Sequence, residues 1–221
     1  MKSGFESAHQ AVLCSEILSF LTGGLPSNES LNGGTPKIFV DGTVGEGGHT
    51  AALLEASAPD GIVIAFDRDP EAIERVRERL GSHNERVILV NESYENLSVR
   101  LPNILSGIDA RRKHAHPLKA SGLLLDLGLS SRQLSLAERG FSFQKEGPLD
   151  MRFNQNEKMT AGDIVNYWPE NKLRALFEEN DETWGKKIAS AIVAERRKNP
   201  IQSTTDLAQL IRRCIPSKFH S

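Results

Sequence analysis

The 221-residue chain is predicted to be an α/β protein built from a parallel sheet of about four strands and an all-helical unit hung on the last of them. Three observations predict it. Short apolar runs alternate with helical patterns up to Asp126, every run stops on Asp or Asn, and no β-branched run follows Ser131. The first element is a helix, because Val12, Leu13, Ile17, Leu18 and Leu21 recur near helical spacing from Ala11 to Leu21 and Gly23-Gly24 close the segment. Residues 26–36 are turn formers almost throughout, which makes them a surface loop. The strands follow as Ile38–Val40 before Asp41-Gly42, Gly61–Phe66 before Asp67, Arg86–Val90 before Asn91, and Gly122–Leu125 before Asp126. A helix from Thr50 to Ala58 separates the first two. Another from Pro70 to Leu80 separates the second and third, with Asp69 as its cap and Pro70 at its first position. The basic cluster Arg111-Arg-Lys-His114 reads as a soluble loop insertion.

Beyond Ser131 the pattern is helical. Thr160–Asp163 and Ser203–Asp206 are capping-box starts, the second opening onto Leu207, Leu210, Ile211 and Cys214 at i, i+3, i+4 and i+7. Trp184, Ile188, Ile192 and Val193 make a further apolar stripe. The expected division is 1–131 for the sheet-bearing part, 132–215 for the helical unit and 216–221 for a tail. A hydrophobic fraction of 38% is too high for disorder, and no apolar run is long enough for a membrane span. A net charge of −2, from 27 basic and 29 acidic residues, excludes a wholly basic nucleic-acid coat but allows a local basic face. Cys14 and Cys214 stand far apart with no metal-ligand pairing, so reduced thiols, no metal and a cytoplasmic location are expected. The first ten residues carry neither a signal-peptide core nor transit-peptide character.

The stretch richest in chemical meaning is Asp41-Gly-Thr-Val-Gly-Glu-Gly-Gly-His49, between a buried strand and a helix start. Gly45, Gly47 and Gly48 remove side chains where a backbone bends tightly and a ligand touches it, while the helix behind offers N–H groups and the positive end of its dipole to an anion. Asp67 ends the second strand 20 residues after Gly47, where an acid in this architecture bonds a ribose diol. The loop lacks the third glycine of a dinucleotide fingerprint. Its preceding acid, Asp41, would repel a pyrophosphate but suits the ammonium of S-adenosylmethionine.

The fourth strand's end, Leu124-Leu-Asp-Leu-Gly-Leu-Ser-Ser-Arg-Gln-Leu134, is followed by Glu138-Arg-Gly-Phe-Ser-Phe143 and Gly147-Pro-Leu-Asp-Met-Arg152. With the Asp41–His49 loop and Asp67-Arg-Asp-Pro70, these five motifs in order resemble the RsmH (MraW) family from His9 to about Ala208. That family methylates the exocyclic amine of a cytosine in small-subunit ribosomal RNA. The resemblance implies a Rossmann-like class I methyltransferase sheet, here incomplete and truncated at the C-terminal side, with a helical inserted domain. It implies adenosylmethionine contacts at Gly47, Gly48, His49, Asp67, Tyr94, Asp126 and Gln133, a small-subunit RNA partner, and an organelle rather than the cytoplasm if the source is eukaryotic.

The residue types suit those roles. Tyr94 follows the third strand, where a flat ring can cover an adenine, and Asp126 faces the crevice at the strand ends, so it can accept a hydrogen bond from the methionine ammonium or the target amine. A sulfonium already activates its methyl group, so positioning the nitrogen and excluding water is most of the catalysis, with Asp126 the candidate catalytic residue. Ser130-Ser131 read as turn and cap residues. In the helical unit Arg132, Arg139 and Arg152, with Phe141 and Phe143, mix phosphate-pairing cations with rings able to stack an unstacked base. The alternative from another class is a non-catalytic, adenosylmethionine- or RNA-binding truncated homologue.

Overall fold

The computed structural model describes residues 13–22, 37–83, 85–112 and 118–217, and these divide into two compact units between Gly128 and Leu129. The expected helix start at Ala11-Val12, the Gly23-Gly24 stop, the 26–36 loop, Lys113-His114 and the last four residues lie outside the described residues.

The first unit contains α1 (Cys14–Thr22), β1 (Ile38–Asp41), α2 (Gly48–Ala56), β2 (Ile62–Phe66), α3 (Pro70–Arg79), β3 (Val87–Val90), α4 (Leu97–Arg112) and β4 (Gly122–Leu124). All strand pairs are parallel and the order is β3-β2-β1-β4, with Val40 facing Ile64 on one side and Leu123 on the other. β1 and β2 are apolar at nearly every position because both faces of the sheet are covered. Phe39, Val63 and Ala65 pack on one face with Leu53 and Leu54 of α2, Ile73 and Val76 of α3, and Leu18 and Leu21 of α1. Ile38, Val40, Ile62, Ile64 and Phe66 alternate onto the other face, against Leu97, Leu101, Ile104, Leu105 and Ile108 of α4. Each such side chain buried contributes about 1.5 to 3 kcal/mol.

α4 corrects the sequence reading, in which Arg111 and Arg112 belong to a loop; they are the last two residues of a 16-residue helix. Pro102 inside it and the modest contrast between its faces mask the helix, yet a strand buried on both faces requires a cover on the second one. The caps of α3 are as expected: Pro70 opens it and the Asp69 carboxylate accepts the Glu71 N–H at 3.0 Å. β4 is an edge strand among the described residues, and Leu123 on it is 51% exposed.

The second unit contains α5 (Ser131–Ser135), α6 (Ala161–Tyr167), α7 (Glu170–Glu179), α8 (Gly185–Arg196) and α9 (Thr204–Cys214). Leu149, Val165, Leu173, Ile188, Ile192, Val193, Leu210 and Cys214 form its core. Ser130 caps α5 and Thr160 caps α6, each closing a capping box with Gln133 and Asp163. Cys14 and Cys214 are free thiols. Among the described residues no helix is long and apolar enough to cross a membrane.

Candidate functional site

Four strands running the same way deliver their carboxyl ends to one edge of the sheet, and the residues singled out above in the first unit stand there: the Asp41–His49 loop after β1, Asp67 after β2, Tyr94 after β3 and Asp126 after β4. The loop is held by backbone bonds from Gly42 N–H to Leu124 O (2.9 Å) and from Val44 N–H to Phe66 O (3.0 Å), which splice it between both neighbouring strands. Gly45 and Gly47 adopt left-handed φ of 50° and 76°, a conformation open to glycine at little cost. A Cβ added at Gly45 would meet nothing nearer than Thr43 O at 3.9 Å, so there is open space over that residue. Gly47 is different, because its added Cβ would lie 2.8 Å from a methyl of Val76 on α3.

Gly47 is also the N-cap of α2, and no side chain caps that end, which leaves the first turn of Gly48 and His49 turned to the loop with the positive pole of the helix behind it. Asp67 reaches back into the same loop. Its Oδ2 accepts the Gly45 N–H at 2.9 Å and its Oδ1 accepts the Asp69 N–H at 2.9 Å, while burial pushes the carboxyl above the usual aspartate range against the pull of those two bonds. Asn91 fixes the turn behind it by donating to the Asp67 and Arg68 carbonyls at 2.9 and 3.1 Å. Tyr94 is 36% exposed and its Cβ borders Gly42, where a side chain would collide with it and with Leu125. Asp126 is more open: its side chain is 56% exposed, its N–H donates to Thr43 Oγ1 at 2.7 Å, and its Oδ2 stands 3.8 Å from Nδ1 of the buried His49.

Asp41 is placed otherwise than expected. Its carboxylate is fully buried, with Oδ2 accepting the Thr50 hydroxyl at 2.6 Å and Oδ1 the Thr43 N–H at 3.1 Å. Burial raises its pKa first of all, and the two bonds oppose that rise. It braces the loop against α2 rather than presenting an anion to a ligand. Sequence reasoning also missed a clamp on a second acidic residue of the loop, Glu46. Glu46 takes an ion pair from Arg75 at 3.0 Å, and its carbonyl accepts the Arg79 guanidinium at 2.6 Å. Arg75 and Arg79 stand at i and i+4 on α3, a spacing that puts both guanidinium groups on one side of the helix.

In the second unit the candidates separate. Arg132 is exposed and Phe143 is 62% exposed. Gln133 is buried and its Oε1 accepts the Ser130 N–H at 3.0 Å in the cap of α5. Arg139 is buried, and one nitrogen donates to the carbonyls of Arg152 (3.2 Å) and Phe153 (2.9 Å). Phe141 is also buried and packs on Phe153 with ring centres 5.1 Å apart. Arg152 spends its fork on Asp150 (2.6 and 3.0 Å) and on the carbonyls of Gln155 and Glu157 (3.0 and 2.7 Å). Arg139, Phe141 and Arg152 therefore tie their own loop together instead of lining a surface for RNA. An Arg or a Phe is recognisable by type in a sequence, but the carbonyls that claim it are not.

The edge thus brings together the amino end of α2, the Asp67 carboxylate, the half-exposed Tyr94 ring and open space over Gly45, groups of the kinds that can meet an anion, hydroxyls and a flat ring. Residues 6–221 match the model of the MraW methylase family. The chain is 42% identical over 220 residues to the ribosomal RNA small subunit methyltransferase H of Desulfotalea psychrophila, covering 97% of this chain and 66% of that protein. Proteins of the same name from Geotalea uraniireducens (42% over 209 residues) and Heliobacterium mobile (38% over 213) are covered to 60% and 62% of their lengths and cover 94% and 96% of this chain. The chain thus spans about three-fifths to two-thirds of the relatives it matches.

Proposed function

The chain belongs to the MraW methylase family, and from that premise we propose that it binds S-adenosylmethionine in the first unit and transfers the methyl group to the exocyclic amine of a cytosine in small-subunit ribosomal RNA. The observation that carries this reading is the convergence of the Gly45–His49 loop, Asp67, Tyr94 and Asp126 on the carboxyl edge of the parallel sheet. Asp67 accepts the ribose hydroxyls on lone pairs left over from the Gly45 and Asp69 N–H bonds. Tyr94 covers the adenine face, and the amino end of α2 at Gly48 and His49 meets the ligand's carboxylate. When bound, adenosylmethionine supplies a sulfonium-activated methyl group, so the protein needs no strong base. Asp126, exposed and oriented by Thr43, accepts a hydrogen bond from the target amine and so localises its lone pair. In the second unit Arg132 and Phe143 offer an exposed cation and an exposed ring to RNA.

The test is transfer of labelled methyl from adenosylmethionine to small-subunit RNA, read as N4-methylcytidine by mass spectrometry. Asp126→Ala is expected to lower turnover while adenosylmethionine affinity changes less. A second reading, a non-catalytic binder, is favoured by the half-exposed Leu123 on β4, an edge strand among the described residues that ends two residues before Asp126. Calorimetric binding of adenosylmethionine with no methyl transfer at any RNA concentration would select that reading over the first.

The raised pKa of Asp67 makes the binding pH-dependent. Ionised Asp67 accepts from both ribose hydroxyls, whereas protonation turns one oxygen into a donor. Affinity is therefore expected to fall as pH drops through a window above an aspartate's ordinary 3.8, a window raised first by burial, with neighbouring Asp69 adding to the rise and Arg75 opposing it. Titration calorimetry at stepped pH checks this. Asp67→Asn is expected to bind weakly and with no such window, and a wild-type affinity flat from neutral to pH ~4 would refute the assignment.

A further inference from the structure

In the stretch Gly147-Pro-Leu-Asp-Met-Arg152 the arginine is spent on its own loop, on Asp150 and on the Gln155 and Glu157 carbonyls. What the loop does with that spending is to hold Met151. This residue has φ 58°, in the left-handed region that disfavours any side chain, and its side chain is 46% exposed. Left-handed backbone at a non-glycine residue persists only where its surroundings over-determine it, and here they do. The Met151 N–H donates to Arg139 O at 3.0 Å, the Asp150 carbonyl accepts the Ala161 N–H at 2.8 Å, and the Arg152 N–H donates to the Asp150 carboxylate at 2.9 Å. Gln155 closes the ring by donating to Asp150 and to the Arg152 carbonyl. Asp150 is held below an aspartate's ordinary range, first by its bond to the Arg152 side chain, so the knot is ionic at neutral pH.

Stability does not account for a methionine in that place. Glycine would adopt the same backbone without strain, and a side chain nearly half in water gains little by packing. We infer that the Asp150–Arg152 knot is a mount that presents the Met151 thioether as the apolar contact for an unstacked base of the RNA substrate. The inference rests on the RNA-methylation reading. Methionine suits this use: its thioether is polarisable, makes favourable contacts with aromatic rings, and conforms to a flat face, while a base drawn out of its stack requires such a platform.

The test compares the wild-type chain with Met151→Gly, Met151→Leu and Met151→Gln, using fluorescein-labelled small-subunit ribosomal RNA for anisotropy, adenosylmethionine for calorimetry, and thermal unfolding. Met151→Gly is expected to keep or raise the unfolding midpoint, because relief at a left-handed φ outweighs the freedom glycine adds to the unfolded chain. It should keep adenosylmethionine affinity while weakening RNA about three- to tenfold, within the range of a sulfur–ring contact. Met151→Leu should retain most RNA affinity, and Met151→Gln, of equal length but polar, should not. A lowered midpoint with unchanged RNA affinity would make Met151 a packing residue and overturn the inference. A wild-type chain that takes adenosylmethionine but no RNA would overturn the RNA reading itself, a different result from equal RNA binding by wild type and Met151→Gly, which defeats only the role of Met151.

Discussion

Gly47→Val is expected to abolish adenosylmethionine binding, and the reason lies in the protein before it lies in the ligand. The residue holds φ 76°, ψ 17° at the N-cap of α2, and a side chain there would begin 2.8 Å from one methyl of the fully buried Val76 and 3.2 Å from the other. A β-branched residue adds about 1 to 2 kcal/mol for the left-handed backbone, and forcing atoms into the packed contact adds about 1 to 3 kcal/mol more. The loop relieves that load by leaving its seat on α3. Doing so strains the Arg75–Glu46 ion pair and the Arg79 bond to the Glu46 carbonyl, and it carries the Gly45 N–H away from Asp67. Calorimetry is expected to show no heat of adenosylmethionine binding, while hydrogen exchange finds Ile188 to Val193 of α8 as protected as before. Gly47→Ala in a Val76→Ala background removes the collision but not the backbone strain, and should recover measurable binding. Normal affinity in Gly47→Val would reduce the loop to a plain turn.

The positions that were legible in the sequence share a physical property: their role is set by near neighbours. β1 and β2 announce themselves by being apolar at successive positions and stopping on Asp, and α3 by Asp69-Pro70. Ser130 and Thr160 cap helices whose third residue answers them. α4 was missed although Leu97, Leu101, Ile104, Leu105 and Ile108 keep helical spacing, because Pro102 interrupts that spacing with a residue that normally ends a helix. In the candidate site, the left-handed turn at Gly45 and Gly47 was legible from the glycine spacing, and the place of Asp67 from the end of the second apolar run. The partners of Glu46 stand 29 and 33 residues away on a different helix, and those of Arg139 are carbonyls 13 and 14 residues on, so no local pattern encodes them. Asp41 was legible as an acid at a strand end, but which way its carboxylate turns depends on the Thr50 hydroxyl one turn into α2.

Asp67→Ala is expected to weaken adenosylmethionine by about 1.5 to 3 kcal/mol, the loss that follows when a charged acceptor of hydroxyl bonds is removed, or roughly tenfold to 150-fold in affinity at 1.36 kcal/mol per decade. Two roles contribute to that figure, because the same carboxylate also holds the Gly45 and Asp69 N–H groups at 2.9 Å. A cycle that changes protein and ligand together separates them. In the wild type, replacing adenosylmethionine by an analogue lacking a ribose hydroxyl should cost most of the affinity assigned to that bond. In Asp67→Ala the same change of ligand should cost little, since the acceptor is already gone. If the analogue loses equally in both proteins, Asp67 acts only through the loop and the ribose bond belongs elsewhere. If the variant binds intact adenosylmethionine as tightly as the wild type, neither role stands, and the acid at the end of β2 has no part in holding the ligand.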